Sequence, residues 1–225
     1  MRESATPPDS GALLEAYVAA QLAGDRREAL RVVVDEGLAR GVAVPSLYLE
    51  VVQAAQYRIG ELWQRNRISV AQEHVATAIS QLALAELYRA LPCQPRHGRR
   101  ALVACVGGER HELGTRTTAD FFEMAGFDVR YLGADVPTDS LVAMLREDRP
   151  DLLVLSVTMS FHLDALREAV ARARETVGDR LHLAVGGQAF AWAPGLAEQL
   201  GADVYGRDAP QSVALACEVL AIPPR

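Results

Sequence analysis

Three short polar segments follow hydrophobic runs in the second half of the chain, and the first has residue types that could bind a metal. Glu109 and His111 lie in a glycine-bounded loop directly after the run 101–106. A loop histidine with a carboxylate two residues before it can be a metal ligand whose tautomer the acidic neighbour fixes. We therefore consider His111 a candidate metal ligand and Glu109 its hydrogen-bonding partner.

The other two segments have residues that could surround a large ligand. Ser156 and Thr158 end one hydrophobic run, and the pair Gly186 and Gly187 ends the next. Adjacent glycines remove two side chains, so that a bulky group can approach the backbone closely. We expect these residues to line a binding surface beside the loop of His111.

The pattern of the second half predicts how these segments come together. Short apolar, β-rich runs alternate with helical stretches, which predicts an open parallel sheet covered by helices on both faces. Without a GxGxxG fingerprint, five strands favour the flavodoxin-like order 2-1-3-4-5. Ligands bind beyond the carboxyl ends of such strands, near the reversal of strand order between strands one and three. The predicted strands are 101–106, 128–132, 151–157, 181–185 and 202–206.

The first half has a different periodicity and predicts an antiparallel four-helix bundle. Asp25 can cap the second helix, Pro45 suits the first turn of the third, and Ser69 with Gln72 forms a capping-box pattern before the fourth. The expected fold class is therefore α/β, with an N-terminal four-helix-bundle cap and a C-terminal flavodoxin-like (Rossmann-like) five-stranded parallel sheet. The expected domains are a disordered N-terminus 1–10, the bundle 11–91, a linker 92–100 and the α/β domain 101–225.

Composition excludes several classes of protein. The chain has 225 residues and a net charge of −6, and all of its basic residues are arginine. The absence of lysine excludes Schiff-base chemistry and a Walker-type phosphate lysine. Without a basic run, we expect no direct nucleic-acid binding. The three cysteines form no CxxC pair, and no stretch reads as a leader or a membrane span, so we predict a cytoplasmic protein without membrane contact.

Taken together, the polar segments resemble the signature of cobalamin-binding domains. That signature has an acidic residue, any residue, His, two residues and Gly, and then a Ser-x-Leu/Thr element and a Gly-Gly element. The matching residues here are Glu109, His111 and Gly114, then Ser156 and Thr158, then Gly186 and Gly187. The resemblance implies that the α/β domain binds cobalamin, with His111 as the lower axial ligand of cobalt. It also implies that the Ser-x-Thr element and the glycine pair line a slot for the nucleotide tail.

The helical half resembles the cap of cobalamin-dependent photoreceptors. Trp63 is followed by nine residues and then by Glu73 and His74, and the capping box at Ser69 brings all three to one tip of a helical hairpin. The resemblance implies that they cover the upper corrin face and that the cofactor is adenosylcobalamin. Trp63 then shields the cobalt–carbon bond, and Glu73 accepts hydrogen bonds from ribose hydroxyls. Some relatives have an axial histidine directly after the tryptophan, where this chain has Gln64, and His74 could take that role.

The resemblance leaves alternative functions open. The photoreceptors carry a DNA-binding helix-turn-helix domain before the bundle, whereas only the segment 1–10 precedes it here. The leading hypothesis is therefore a cobalamin-dependent light sensor that signals by forming a homo-oligomer or by binding a separate transcriptional regulator. The main alternative is an enzyme component, a corrinoid protein that carries methyl groups between the two partners of a methyltransferase system. A third is a cobalamin store or a light-independent sensor.

Overall fold

The computed structural model describes residues 10–223, which form two compact units divided between Pro92 and Cys93. The first unit is helical, and the second contains a parallel sheet flanked by helices. The predicted fold class is therefore confirmed. The predicted disordered segment 1–10 lies, except for Ser10, outside the described residues.

Four helices make up the described part of the first unit, and two of them contain a π-helical stretch. The π-helical stretches are Arg31–Glu36 in the second helix and Leu47–Gln53 in the third. These wider stretches interrupt the regular 3.6-residue pattern. The helices are α1 (Ser10–Ala23), α2 (26–39), α3 (44–64) and α4 (Val70–Leu87), and a 3₁₀ turn (Tyr88–Ala90) follows them.

Local hydrogen bonds fix the ends of these helices. Asp25 accepts a bond from the backbone N–H of Glu28 at the start of α2. Both bonds of the predicted capping box form between Ser69 and Gln72 at the start of α4. Asn66 adopts a left-handed conformation (φ +54°) in the turn between α3 and α4. These short-range signals set the length of the α3–α4 hairpin, which carries Trp63 near its tip.

The second unit contains five parallel strands in the order β2-β1-β3-β4-β5, as predicted. β1 lies between β2 and β3, so the strand order reverses at β1. The strands are β1 (Arg100–Val106), β2 (Asp128–Val136), β3 (Leu152–Ser156), β4 (His182–Gly186) and β5 (Val204–Tyr205). The helices are α5 (Leu113–Met124), α6 (Thr138–Asp148), α7 (Leu163–Val177), α8 (Gln188–Trp192), α9 (Leu196–Gln199) and α10 (Ala209–Val219).

Both faces of this sheet are buried, as a parallel sheet requires. Alternate residues of each central strand enter two separate apolar clusters, one on each face of the sheet. One cluster contains Leu102, Leu153 and Leu183, and the other contains Val103, Val154 and Ala184. Because the two faces are filled with apolar side chains, the polar residues are left to the strand ends and loops.

Two features of this unit differ from the pattern read in the sequence. β2 extends to Val136, four residues beyond its predicted end, and the segment expected to be a linker is bonded to the α/β unit. Gln94 N–H donates to the carbonyl of Met124 (2.8 Å), and the ring of His97 packs edge-on against Phe127 (centroids 4.5 Å apart). The chain from Cys93 onward therefore belongs to the second unit.

Candidate functional site

The carboxyl ends of β1, β3 and β4 lie side by side at one edge of the sheet. Ser156 is paired in register with Cys105 of β1 and with Gly186 of β4. The loops that leave these three strands therefore start from adjacent positions. They carry the three polar segments that the sequence singled out.

A short hydrogen bond joins the two polar residues of the first loop. Glu109 Oε1 lies 2.6 Å from His111 Nδ1 and also accepts the backbone N–H of His111 at 2.9 Å. An ionised carboxylate is only an acceptor, so Nδ1 donates in this contact, and in the neutral imidazole Nε2 then carries the lone pair of the ring. The Glu109 side chain is fully buried, whereas 58% of the His111 side chain is exposed. His111 thus has the tautomer and the exposure that a metal ligand needs.

The second carboxylate oxygen of Glu109 binds the loop after β3. Oε2 accepts the backbone N–H groups of Thr158 (2.8 Å) and Met159 (2.9 Å). One buried side chain therefore links the loop that carries His111 to the loop that carries the Ser-x-Thr element. The sequence predicted the contact with His111, and the backbone bonds across the two loops were missed.

These hydrogen bonds explain how a charged group is stable in the interior. Burial alone raises the pKa of a carboxyl group, because it penalises the charged form. Hydrogen bonds from the His111 side chain and from the backbone of Met159, His111 and Thr158 outweigh that effect and lower the pKa of Glu109 to about 2. Glu109 is therefore ionised at neutral pH and fixes the orientation of the imidazole.

Asp135, at the end of β2, is a further residue of this edge that the sequence analysis missed. Its Oδ1 accepts the backbone N–H of Gly108 (2.6 Å), and its own N–H donates to the carbonyl of Glu109 (2.8 Å). Its φ of +52° is a conformation that Asp and Asn adopt more readily than most residues. The available signal was an aspartate at the end of a strand, two residues before Pro137.

The two glycines at the carboxyl end of β4, Gly186 as its last residue and Gly187 directly after it, have different surroundings. A Cβ on Gly187 would overlap the carbonyl group of Val157, and its φ is +101°. A Cβ on Gly186 would meet no atom within 4 Å. The backbone of β4 therefore requires glycine at position 187, whereas position 186 has open space in which a ligand could lie.

The remaining predicted residues of the α/β unit lie at the same edge. Ser156 is half-buried at the last position of β3, and Thr158 is half-buried two residues later. Gly114 lies in the first turn of α5, where its carbonyl accepts the Thr118 hydroxyl (2.9 Å) and a Cβ would meet no atom within 4 Å.

The helical unit contains the three residues predicted to contact an upper ligand. Trp63 lies at the end of α3 and is 44% exposed. Glu73 lies in the first turn of α4, where its Oε1 accepts the Thr77 hydroxyl (2.7 Å) and its Oε2 lies 2.6 Å from Nδ1 of the exposed His74.

The donor set fits a metal that brings most of its own ligands. Within residues 10–223, no group of three or more His, Cys, Asp or Glu side chains could hold a metal ion together. His111 offers one imidazole nitrogen, which suits the cobalt of a corrin because the ring itself supplies four nitrogens. The open space at Gly186 and Gly114 fits the same bulky group. In the part of the chain that the structure describes, no helix is long and apolar enough to span a bilayer.

Comparison with known proteins identifies the family. Residues 99–214 match a B12 binding domain family, and residues 13–88 match a second B12 binding domain family. The chain is 31% identical over 176 residues to the HTH-type transcriptional repressor CarH of Myxococcus xanthus. The matched region covers 77% of this chain and 57% of that protein. The chain thus spans little more than half the length of that relative.

Corrinoid proteins match over more of their length. Dimethylamine corrinoid protein 1 of Methanosarcina acetivorans is 26% identical over 189 residues, which covers 81% of this chain and 87% of that protein. The solved monomethylamine corrinoid protein of Methanosarcina barkeri has the same fold, with a TM-score of 0.82 and 20% identity over 92% of this chain and 98% of that one. The chain therefore belongs to the B12-binding domain proteins.

Proposed function

We propose that the chain is a cobalamin-dependent light sensor, in which His111 would bind the cobalt of the cofactor. The observation that carries the cobalamin site is the buried carboxylate of Glu109, which binds Nδ1 of His111 and the backbone of the loop after β3. In this proposal Nε2 of the ring would bind the cobalt, and Glu109 holds the loop after β3 beside the loop of His111. A hydrogen-bonded carboxylate also makes an imidazole a stronger metal ligand.

The same edge of the sheet offers surfaces for the rest of the cofactor. We infer that Ser156, Thr158 and Gly186 line the slot for the nucleotide tail, while Gly187 keeps the turn after β4 in shape. Gly114 leaves space at the start of α5. In this proposal Glu109 orients His111 and is not itself a ligand of the metal.

The helical unit would bind the upper ligand, for which we propose the adenosyl group. An exposed indole at the end of α3 offers an apolar surface to an adenine or a ribose ring, and the carboxylate of Glu73 offers acceptors to ribose hydroxyls. His74, whose side chain is 73% exposed, would contact the same ligand. A methyl group is too small to contact such a surface and has no hydroxyl groups to donate to Glu73. The surface therefore favours the adenosyl form.

Bound adenosylcobalamin supplies the visible absorption and a cobalt–carbon bond that light can break. Before illumination, Trp63 would exclude water from the upper ligand and Glu73 would hold the ribose. Loss of the adenosyl group would leave both side chains without their ligand and so change the surface of the helical unit. We propose that this change alters either self-association or the binding of a separate transcriptional regulator. The similarity to a transcriptional repressor supports this output.

The second candidate is a corrinoid methyl carrier that exchanges methyl groups with methyltransferase partners. It is favoured by the dimethylamine corrinoid protein, of which this chain covers 87%. His111, Glu109 and the nucleotide slot would serve both functions equally. The two proposals differ in the upper ligand that the helical unit selects.

Replacing Trp63 by Ala tests this difference. Isothermal titration in the dark gives the dissociation constants of adenosylcobalamin and methylcobalamin for each variant. A light sensor should lose about tenfold or more of its preference for the adenosyl form, since a large buried aromatic contact is removed. Tyr57→Ala is the matched control, because Tyr57 is an exposed aromatic (60%) on the same helix. An unchanged preference in Trp63→Ala would contradict the sensor proposal and favour the methyl carrier.

A further inference from the structure

A chain of polar side chains crosses the interior of the helical unit and ends at Glu73. Its centre is Ser80, whose side chain is fully buried. Buried polar groups are costly unless they are hydrogen-bonded, so a cluster of this size constrains the positions of all its members. The hydrogen-bonded side chains are Tyr17 and Gln21 of α1, Gln56 of α3, and Ser80, Thr77 and Glu73 of α4.

Ser80 determines the orientation of the Gln56 amide. The Ser80 hydroxyl oxygen lies 2.6 Å from Nε2 of Gln56, and the same nitrogen donates to the carbonyl of Ala76 at 3.3 Å. With its NH₂ group bonded to two acceptors on α4, the amide must direct its oxygen toward Thr77. The Oε1 atom of Gln56 lies 3.3 Å from the Thr77 hydroxyl.

Thr77 has one hydroxyl proton and two acceptors within reach. Glu73 Oε1 lies at 2.7 Å and Gln56 Oε1 at 3.3 Å. A hydroxyl group donates one hydrogen bond at a time. The charged and nearer carboxylate is the stronger acceptor, so the proton is on the side of Glu73 in this structure.

The bonds to Glu73 leave a defined acceptor geometry. An ionised carboxylate has about four acceptor sites, two on each oxygen. Thr77 occupies one on Oε1, and His74 occupies one on Oε2. The bonds that the structure describes within residues 10–223 thus leave one site on each oxygen, and such a pair of acceptors matches two hydroxyl groups on adjacent carbons.

We propose that Thr77 is a positioning residue that selects a vicinal diol at Glu73 and links its occupancy to the buried Ser80 cluster through Gln56. This inference rests on the proposed role of Glu73 toward the adenosyl ribose. Thr77 holds the carboxylate in one orientation before the ligand arrives, which lowers the entropic cost of binding. When two ligand hydroxyls donate to the carboxylate, it becomes a weaker acceptor for the Thr77 hydroxyl. The hydroxyl proton of Thr77 can then turn toward Oε1 of Gln56.

The test compares the full-length Thr77→Val, Thr77→Ser and Glu73→Gln variants. Dissociation constants for adenosylcobalamin and methylcobalamin are measured in the dark, and the ratio of the two is the readout. We expect Thr77→Val to lower the preference for the adenosyl form about tenfold, the value of one hydrogen bond to a charged group. Thr77→Ser, which keeps the hydroxyl, should restore the preference.

A matched control and a ligand-free readout separate positioning from folding. Thr176→Val removes a comparable helical hydroxyl, which donates to the carbonyl of Arg172 (2.7 Å) in α7 of the other unit, and it should leave the ratio unchanged. Hydrogen exchange of the ligand-free protein over residues 70–80 should match wild type in Thr77→Ser and be faster in Thr77→Val.

The outcomes distinguish this inference from the function on which it rests. If Glu73→Gln lowers the adenosyl preference while Thr77→Val retains it, the positioning role is overturned and the proposed function stands. If Glu73→Gln retains the preference as well, the proposed contact of Glu73 with the upper ligand is itself wrong. A loss in Thr77→Val that Thr77→Ser does not restore also overturns the positioning role.

Discussion

The carboxylate of Glu109 is fully buried, whereas the ring of His111, bonded to it at 2.6 Å, is 58% exposed. An interior charge is costly, and this one is stabilised by N–H groups from two loops. The pair therefore combines a buried, hydrogen-bonded carboxylate with an accessible imidazole.

Replacing Glu109 by Gln should weaken cobalamin binding. The neutral amide cannot accept bonds at both of its ends, so it loses either the His111 ring or the N–H groups of Thr158 and Met159. We expect a ten- to hundredfold increase in the dissociation constant, typical of residues that orient a metal-bound histidine. Titration calorimetry measures it, with the exposed Glu168→Gln on α7 as the control. Wild-type affinity in Glu109→Gln would show that His111 needs no orienting carboxylate.

The same carboxylate should make the α/β unit sensitive to acid. The pKa of Glu109 is lowered in the folded state to about 2, so its stabilisation is present above the unfolded value of 4.5 and is lost as the pH falls toward 2. The shift corresponds to about 3 kcal/mol in the free energy of unfolding. Urea unfolding between pH 6 and about 3, followed by Trp192 fluorescence in a Trp63→Phe background, measures it. Glu109→Gln should remove most of this pH dependence, and an equally steep loss in both proteins would contradict the assignment.

The two glycines at the carboxyl end of β4 should respond differently to replacement by alanine, one in stability and the other in cobalamin affinity. Gly187→Ala places a Cβ against the carbonyl of Val157 at a φ of +101°, so we expect the free energy of unfolding to fall by more than about 1 kcal/mol. Gly186→Ala meets open space, so its melting temperature should stay near wild type while cobalamin affinity falls. Circular dichroism melts and calorimetry separate the two effects. Full affinity in Gly186→Ala would remove this position from the proposed slot.

Much of this edge could be predicted from the sequence, because strand–helix alternation determines which strand ends are adjacent. That reasoning placed Glu109, Ser156 and Gly186 on one edge. It could not predict the bonds from Glu109 to the backbone N–H groups after β3, because they depend on the conformation of two loops. The cluster around Ser80 was missed for a similar reason, since its partner Tyr17 lies 63 residues away and periodicity indicates burial without naming partners.

Replacing His111 by Ala should remove the protein ligand from cobalt without unfolding the chain, because the ring is largely exposed. Electron paramagnetic resonance of the protein with cob(II)alamin should show nitrogen coupling from histidine in the wild type and lose it in the variant. His182→Ala is the control, since His182 lies at the amino end of β4, opposite the site. Identical spectra in wild type and His111→Ala would contradict the axial role.

The proposed sensor function is tested most directly by size-exclusion chromatography of the full chain with adenosylcobalamin, in the dark and after green light. The absorbance of each fraction confirms that the cobalt–carbon bond was broken. We predict that illumination shifts the elution volume of wild type, and that Trp63→Ala elutes at the same volume in both states. Complete photolysis of the bound cofactor with no shift in the wild type would contradict light-dependent self-association.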